Sequence, residues 1–430
     1  MIHFQDVLPA AREVIAATGV DAKLDGVLVL RDLRGRVRFF LQPRESEKAR
    51  VTAACDFLQD EFEKKLAPFW GGVVEVDDSR SEFATVLAQV RQDAVAVEPQ
   101  SDFPGWSIIE RHVAKSAWTS DIHQPPWPLK PQTPAIIAWY SHKGGVGRST
   151  ALCATAIHFA RAGKRVCVVD LDLESPGLGS LLSNTAPTCG VLDYLLERML
   201  AGHSFSPDIE AYLTRQSDAV LIGDAGEPVI CVPAGCIDQW YIEKLARLDY
   251  ELLAVHDSGA PNPLADLLTQ LKRDVDPFVI LVDCRAGFHE LGGTAVQQVS
   301  HANVLFGLDS RQSWDGLRCL VSRLARGSTT PCLLVQAMEE RAPGPRRDDA
   351  RDRFLQSAYD VFCDEYYDED DVPDIGAPGE LHNPFHIPLD TRLAGFQSLA
   401  DVTEILLDKP YSELANRIVT LQNRAMNYAP

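Results

Sequence analysis

Residues 141–150 read SHKGGVGRST, a run that gathers glycines, cations and hydroxyls into one short stretch. Gly144, Gly145 and Gly147 leave the backbone free to turn until successive N–H groups converge on one point, which is how a loop cradles phosphate oxygens. Val146 completes the loop. Loops of this kind read G-x-x-x-x-G-K-[S/T], the lysine reaching the β- and γ-phosphates and the hydroxyl residue holding a magnesium ion. Here the cation before the Ser149–Thr150 pair is Arg148, and a second cation, Lys143, stands five residues earlier. The apolar run AIIAWY precedes the loop, and STALCATAIHFARAG follows with helical composition and Gly163 placed to end the helix. Strand, glycine loop and helix is the context such a nucleotide site needs. Ser149 is then the hydroxyl for Mg²⁺, with Thr150 near the α-phosphate.

These residues need strands to position them. Continuous apolar runs occur at 135–140, 166–171, 229–233, 278–283, 303–308 and 332–336, separated by glycine or aspartate and helical stretches. Unbroken apolar strands, as opposed to alternating ones, predict a mostly parallel sheet with helices on both faces, an α/β fold. Ligands bind beyond the carboxyl ends of such strands, which directs attention to residues 141–150, 170–174 and 283–287.

The chain divides at TSDIHQPPWPLKPQTP, residues 119–134, whose five prolines predict an extended linker. Residues 1–118 read as a small α+β domain: a helix from Asp6 to Ala17, a hairpin of GVLVL and VRFFLQ, a long helix from Ser46 to Leu66, a VVEV strand and a helix from Glu82 to Val90. Nothing there has catalytic spacing, and Trp70, Trp106 and Trp118 read as core or docking aromatics and not as a ligand cage. Residues 135–430 form the phosphate-loop domain.

Composition narrows the partners. With 46% hydrophobic and 24% charged residues the chain is globular. A formal net charge of −20 disfavours a phosphate backbone as ligand, so nucleic acid is not an expected partner. The arginines at 341, 346, 347, 351 and 353 alternate with Asp348, Asp349 and Asp352, which predicts a solvated, self-paired loop; the acidic run 364–374 reads as an exposed connection. No apolar run approaches the roughly 18 residues of a membrane span. The N-terminus lacks the pattern of a signal peptide. Ten scattered cysteines without C-x-x-C spacing predict buried thiols, among them Cys153, Cys167, Cys284 and Cys332, in a reducing, cytoplasmic setting.

KGGVGRST resembles the deviant phosphate loop KGG-x-GK-[S/T] of the ParA/MinD family of ATPases, of the SIMIBI class. The resemblance continues through GKRVCVVDLDLESPGL (163–178), FVILVDCRAG (278–287), HANVLFGLDSRQSWDGL (301–317) and FHIPLDTRLAGFQSL (385–399), in the family's order. It implies ATP with Mg²⁺ as ligands and a homodimer that closes on ATP. Lys143 would reach across the dimer to the partner's phosphates, and Asp172 would orient the attacking water. Asp170 and Asp283 would join Ser149 at the magnesium ion, the Gly287 N–H would meet the γ-phosphate, and the loop containing Pro388 would lie near adenine. Arg285 is an added cation, read either as an arginine finger or as a salt-bridge partner of a nearby carboxylate. Arg148 departs from the family lysine and Glu174–Ser175 from its P-Q, which implies slow or partner-stimulated hydrolysis. Guanine-specific relatives carry N-K-x-D or T-K-x-D after a late strand; this chain reads VQAMEER there, which favours adenine.

The resemblance leaves several functions open. One is a nucleotide-switched dimer that passes its state to a protein partner through the N-terminal domain, as in bacterial conflict or regulatory operons. Others are a DNA-partitioning or cell-positioning ATPase, a weakly hydrolysing ATP-binding module, and a ligase or iron–sulfur reductase. The C-terminal stretch YSELANRIVTLQNRAMN reads as a helix packed on the domain and not as a membrane anchor, since only Arg417 and Arg424 charge its polar side.

Overall fold

The computed structural model describes residues 2–77, 83–250, 252–254, 262–327 and 330–428. The chain separates into two units, Met1–Val113 and Ala114–Pro430.

In the first unit, β1 (Leu24–Arg31) and β2 (Val37–Pro43) form the expected hairpin. Asp32 fixes its turn by accepting the N–H groups of Arg34 and Arg36 at 2.9 and 3.0 Å, and Gly35 takes the left-handed φ of 82° that the turn demands. Three further strands, β3 (Trp70–Val76), β4 (Val95–Ala96) and β5 (Trp106–Glu110), give a mixed sheet in the order β3-β2-β1-β5-β4. Alternation decides its faces: Val27, Val29, Phe39 and Leu41 pack with the helices Val7–Thr18 and Lys48–Leu66, while Leu28 and Phe40 face Leu87 on the opposite side. Trp106 is buried and Trp70 stacks on Phe39, so both are core aromatics. The last expected helix is present as Ala84–Val90; Glu82 lies outside the described residues.

The second unit is an eight-stranded sheet. Its strands are β6 (Ala135–Ser141), β7 (Val166–Asp170), β8 (Thr214–Gln216), β9 (Val229–Val232), β10 (Val279–Asp283), β11 (Ala302–Gly307), β12 (Cys332–Glu339) and β13 (Phe385–Pro388). They run in the order β13-β12-β11-β6-β10-β7-β9-β8, parallel except for the β8–β9 pair. Along β6, Ile136, Ala138 and Tyr140 enter one core while Ala135, Ile137 and Trp139 enter the other. Two covered faces are why the strand is apolar throughout.

The proline-rich stretch 119–134, read above as an extended linker, has neither helix nor strand beyond Thr119 but is fastened to the second unit. The Gln124 N–H donates to Gln298 O at 2.7 Å, His123 Nε2 meets Ser300 O at 2.8 Å, and buried Trp127 donates to Pro134 O at 2.9 Å. His301 takes the Ile136 N–H on Nδ1 and gives Nε2–H to Trp127 O; burial, only partly opposed by that bond, drives its pKa down to about 4, so the ring is neutral. Trp118 sits against Gly293, where a Cβ would lie 2.8 Å from the indole nitrogen.

Arg341, Arg351 and Arg353 pair with Asp390, Glu339 and Asp309, and the segment read as a loop turns into the helix Pro345–Glu365 behind Pro345 at its first turn. The acidic run leaves that helix as mostly exposed coil. No helix among the described residues is long and apolar enough to cross a membrane. The C-terminal helix Lys409–Tyr428 buries Leu414, Ile418 and Leu421 against the helix Arg148–Arg161. Leu414→Ala should therefore cost about 2–5 kcal/mol of stability, read as a lowered midpoint in thermal unfolding; an unchanged midpoint would mean that this helix is not part of the core.

Candidate functional site

The loop joins β6 to the helix Arg148–Arg161, whose N-cap is Gly147. Gly145 and Gly147 have φ of 73° and 79° with open space where a Cβ would stand, so backbone conformation, not crowding, calls for glycine there. The loop opens on a pocket of about 430 Å³ lined by Ser141, residues 144–150, Asp172, Ser175, Arg285 and Ala286. Register brings the acidic residues to it: β10 lies between β6 and β7, and Asp283 stands level with Trp139 on one side and Asp170 on the other.

Asp283 is the centre of the site. Its Oδ2 accepts from Ser149 Oγ at 2.5 Å and its Oδ1 from Arg148 Nε at 2.6 Å. Arg148 Nη1 also donates to Ser141 Oγ at 3.0 Å, and Nη2 is 4.0 Å from Asp172. Burial works against the charge of this guanidinium, but Asp283 and then Asp172 more than offset it and hold its pKa above the usual arginine value. Arg148 therefore points inward, not along the loop toward a phosphate. The Ser149 hydroxyl and the Asp283 carboxylate are hard oxygen donors side by side, a pair suited to Mg²⁺ that uses further ligand and water oxygens. Among the described residues no cluster of three or more His, Cys, Asp or Glu could hold a metal without such help.

Asp170 has no exposed surface and is not among the residues that line the pocket. Its carboxylate accepts the N–H groups of Asp172, Gly177 and Leu178 at 3.1, 3.3 and 3.1 Å, folding residues 171–178 back around it. Burial and the charge of Asp283 push it up to about 7 against the pull of those three donors. Asp172 lines the pocket and accepts the Ser175 N–H at 3.1 Å. Burial raises its pKa, opposed chiefly by Arg148.

Arg285 pairs with Glu174 at 2.6 Å and stands 3.8 Å from Asp172, the salt-bridge arrangement of the two read from sequence. Glu174 also accepts from His289 Nε2 at 2.9 Å. Lys143 is half-buried and forms no ion pair among the described residues. Gly287, at φ 78°, spends its N–H on Ser141 O at 3.1 Å and so does not direct it to a phosphate. Pro388 ends β13 opposite Glu339 and is not among the pocket residues. Sequence reasoning passed over three members of this network: Ser141, Glu174 as a charge partner, and His289. Only Glu174 carried a signal, as a carboxylate in the segment where the resembled pattern has P-Q.

Residues 132–242 match the family model ParA, described as NUBPL iron-transfer P-loop NTPase. Over that stretch the sequence is similar to this family. No curated protein matches the chain. It is similar to the solved structure of pNOB8 ParA bound to nonspecific DNA at 14% identity, covering 68% of this chain and 99% of that one with a TM-score of 0.44. For the Pyrococcus furiosus cell division ATPase MinD the figures are 19%, 67%, 99% and 0.44. For the Mycobacterium smegmatis cobyrinic acid a,c-diamide synthase with bound ATP analogue and magnesium they are 21%, 66%, 94% and 0.41.

The Asp170 arrangement yields a direct expectation. Asp170→Ala should strip three backbone donors of their acceptor and speed hydrogen exchange at Asp172, Gly177 and Leu178 by at least about tenfold, since each lost bond is worth about 1–3 kcal/mol when its partner stays buried. Unchanged protection at all three would show that the carboxylate does not hold this segment.

Proposed function

We propose that the chain is a Mg²⁺-dependent ATP-binding and hydrolysing switch that closes as a homodimer on ATP and reports its state to a protein partner. One observation carries this reading: the register of β6, β10 and β7 gathers the glycine loop, the Ser149–Asp283 pair and Asp172 around one pocket. In it, the N–H groups of residues 144–150 and the positive end of the helix Arg148–Arg161 receive the phosphates. Ser149 and Asp283 would hold a magnesium ion, which when bound would neutralise charge on the phosphate oxygens. Asp172, already at the pocket wall, accepts a hydrogen bond from the water and orients it.

Lys143 belongs in this scheme to the other subunit's nucleotide. A lysine this far before the helix has no reason to serve its own phosphates, and no carboxylate among the described residues claims it. Transmission is supported by the loop after β10. Trp118 donates to His289 O at 2.7 Å and packs edge-on to Phe288, while Lys115 pairs with Glu290 at 2.8 Å. The loop that carries Arg285 thus holds the first residues of the second unit, directly after Val113.

Other readings gain less support. Arg341, Arg351 and Arg353, the best basic patch for DNA, are committed to carboxylates. An iron–sulfur role needs accessible cysteines, yet Cys284 at the site is fully buried and Cys189 is only partly exposed.

Calorimetry should show ATP binding that requires Mg²⁺ and is at least about tenfold tighter than GTP binding, a difference of about 1.4 kcal/mol; equal affinities would remove the assignment of the base. Asp172→Ala should retain ATP affinity and lose turnover by about a hundredfold or more, and wild-type turnover in that variant would exclude Asp172 as the residue that orients water. Lys143→Ala should leave monomer affinity nearly unchanged but abolish dimerisation with a non-hydrolysable ATP analogue, as followed by light scattering. An intact analogue-bound dimer in that variant, or none in the wild type, would refute the trans role.

A further inference from the structure

We propose that Arg148 is a positioning residue for the metal-side carboxylate Asp283, and that it does not bind phosphate. The proposal rests on the nucleotide-site reading above and gives the arginine at this loop position its own task. A lysine there extends a point charge along the phosphates. Arg148 instead has its guanidinium enclosed, with 8% of the side chain exposed, and each nitrogen faces a protein acceptor. Nε donates to Asp283 Oδ1 at 2.6 Å, Nη1 donates to Ser141 Oγ at 3.0 Å, and Nη2 lies 4.0 Å from Asp172. These acceptors sit at the end of β6, at the end of β10 and just beyond β7. A planar fork can meet them together, whereas an ammonium on a flexible stem cannot.

The consequence falls on Asp283. With Oδ1 held by Arg148, the carboxylate is locked in the rotation that turns Oδ2 toward the Ser149 hydroxyl, 2.5 Å away. That is the edge at which the magnesium ion would be held. Outer partners that orient a metal-binding carboxylate typically change metal affinity about 10–100-fold. Phosphate charge is left to the backbone N–H groups, to Arg285 and, from the other subunit, to Lys143.

Two measurements test this. In the protein without nucleotide, Arg148→Gln and Asp283→Asn should each lower the melting temperature by about 5 °C or more, and the double variant should recover a clear part of the combined loss, because each single change leaves a buried charge without its partner. Additive losses would overturn the clasp whether or not the chain binds ATP. The second measurement is ATP affinity with Mg²⁺ and with EDTA. Arg148→Lys and the milder Ser141→Ala, which keeps every charge, should leave affinity in EDTA within about twofold and shrink the gain due to Mg²⁺, by about tenfold for Arg148→Lys. A phosphate-binding Arg148 predicts the reverse: Arg148→Lys keeps the Mg²⁺ gain, and Arg148→Gln weakens binding in EDTA. That result would overturn the proposal. A wild type that binds no ATP under either condition would defeat the nucleotide reading, with the melting data still deciding the clasp.

Discussion

Three aspartates crowd the carboxyl ends of two adjacent parallel strands, and folding has to compensate each of them. An uncompensated buried carboxylate costs several kcal/mol, so the chain surrounds each with a different kind of donor. Asp283 has a buried guanidinium and a hydroxyl, Asp170 has three backbone N–H groups, and Asp172 has one N–H and two guanidiniums at 3.8–4.0 Å. Each solution also fixes a segment. Asp283 ties β10 to β6 and to the start of the following helix, while Asp170 folds residues 171–178 over the end of β7. The pocket keeps its shape because its charges are satisfied from behind.

Much of this architecture was readable because central strands covered on both faces must be apolar throughout. All six runs picked from sequence are strands, each to within a few residues. The missed strands are the five-residue β5, inside the smaller sheet, and three short edge strands: β8 with three residues, β13 with four, and β4 with two. Edge strands that short bury too little to print a pattern. The proline-rich stretch was harder for another reason. Prolines do prevent helix and strand there, but what fastens the segment is Gln298, Ser300 and His301, more than 160 residues away. Nothing local in TSDIHQPPWPLKPQTP announces those partners.

At the site, residue type was legible and direction was not. The glycine loop, Ser149, Asp172 and Asp283 meet at one pocket, as their positions at strand ends imply. Whether a side chain faces the pocket or the interior depends on acceptors in other segments. Arg148 turns inward because Ser141 and Asp283 wait there, and Asp170 is enclosed by the backbone donors of residues 172–178. Gly287 spends its N–H on Ser141 O in the same way. Pro388 follows from its strand: the pairing of β13 with β12 sets it opposite Glu339, apart from the pocket lining.

The distribution of cations carries the argument one step further. In a chain of net charge −20, most arginines near this end of the sheet are already matched to carboxylates. In the proposed nucleotide site, a terminal phosphate would add negative charge near Asp172, where the cations of the same subunit already have partners. Arg285 is the one placed to move, since it is about one-third exposed and held mainly by Glu174. It cannot serve Glu174 and a phosphate in full at once, and low dielectric near the pocket wall makes the choice between them a sharp one. Glu174 also accepts from His289 Nε2, and the His289 carbonyl holds the Trp118 indole. The pocket wall is thus joined through Arg285, Glu174 and His289 to Trp118, near where the second unit begins.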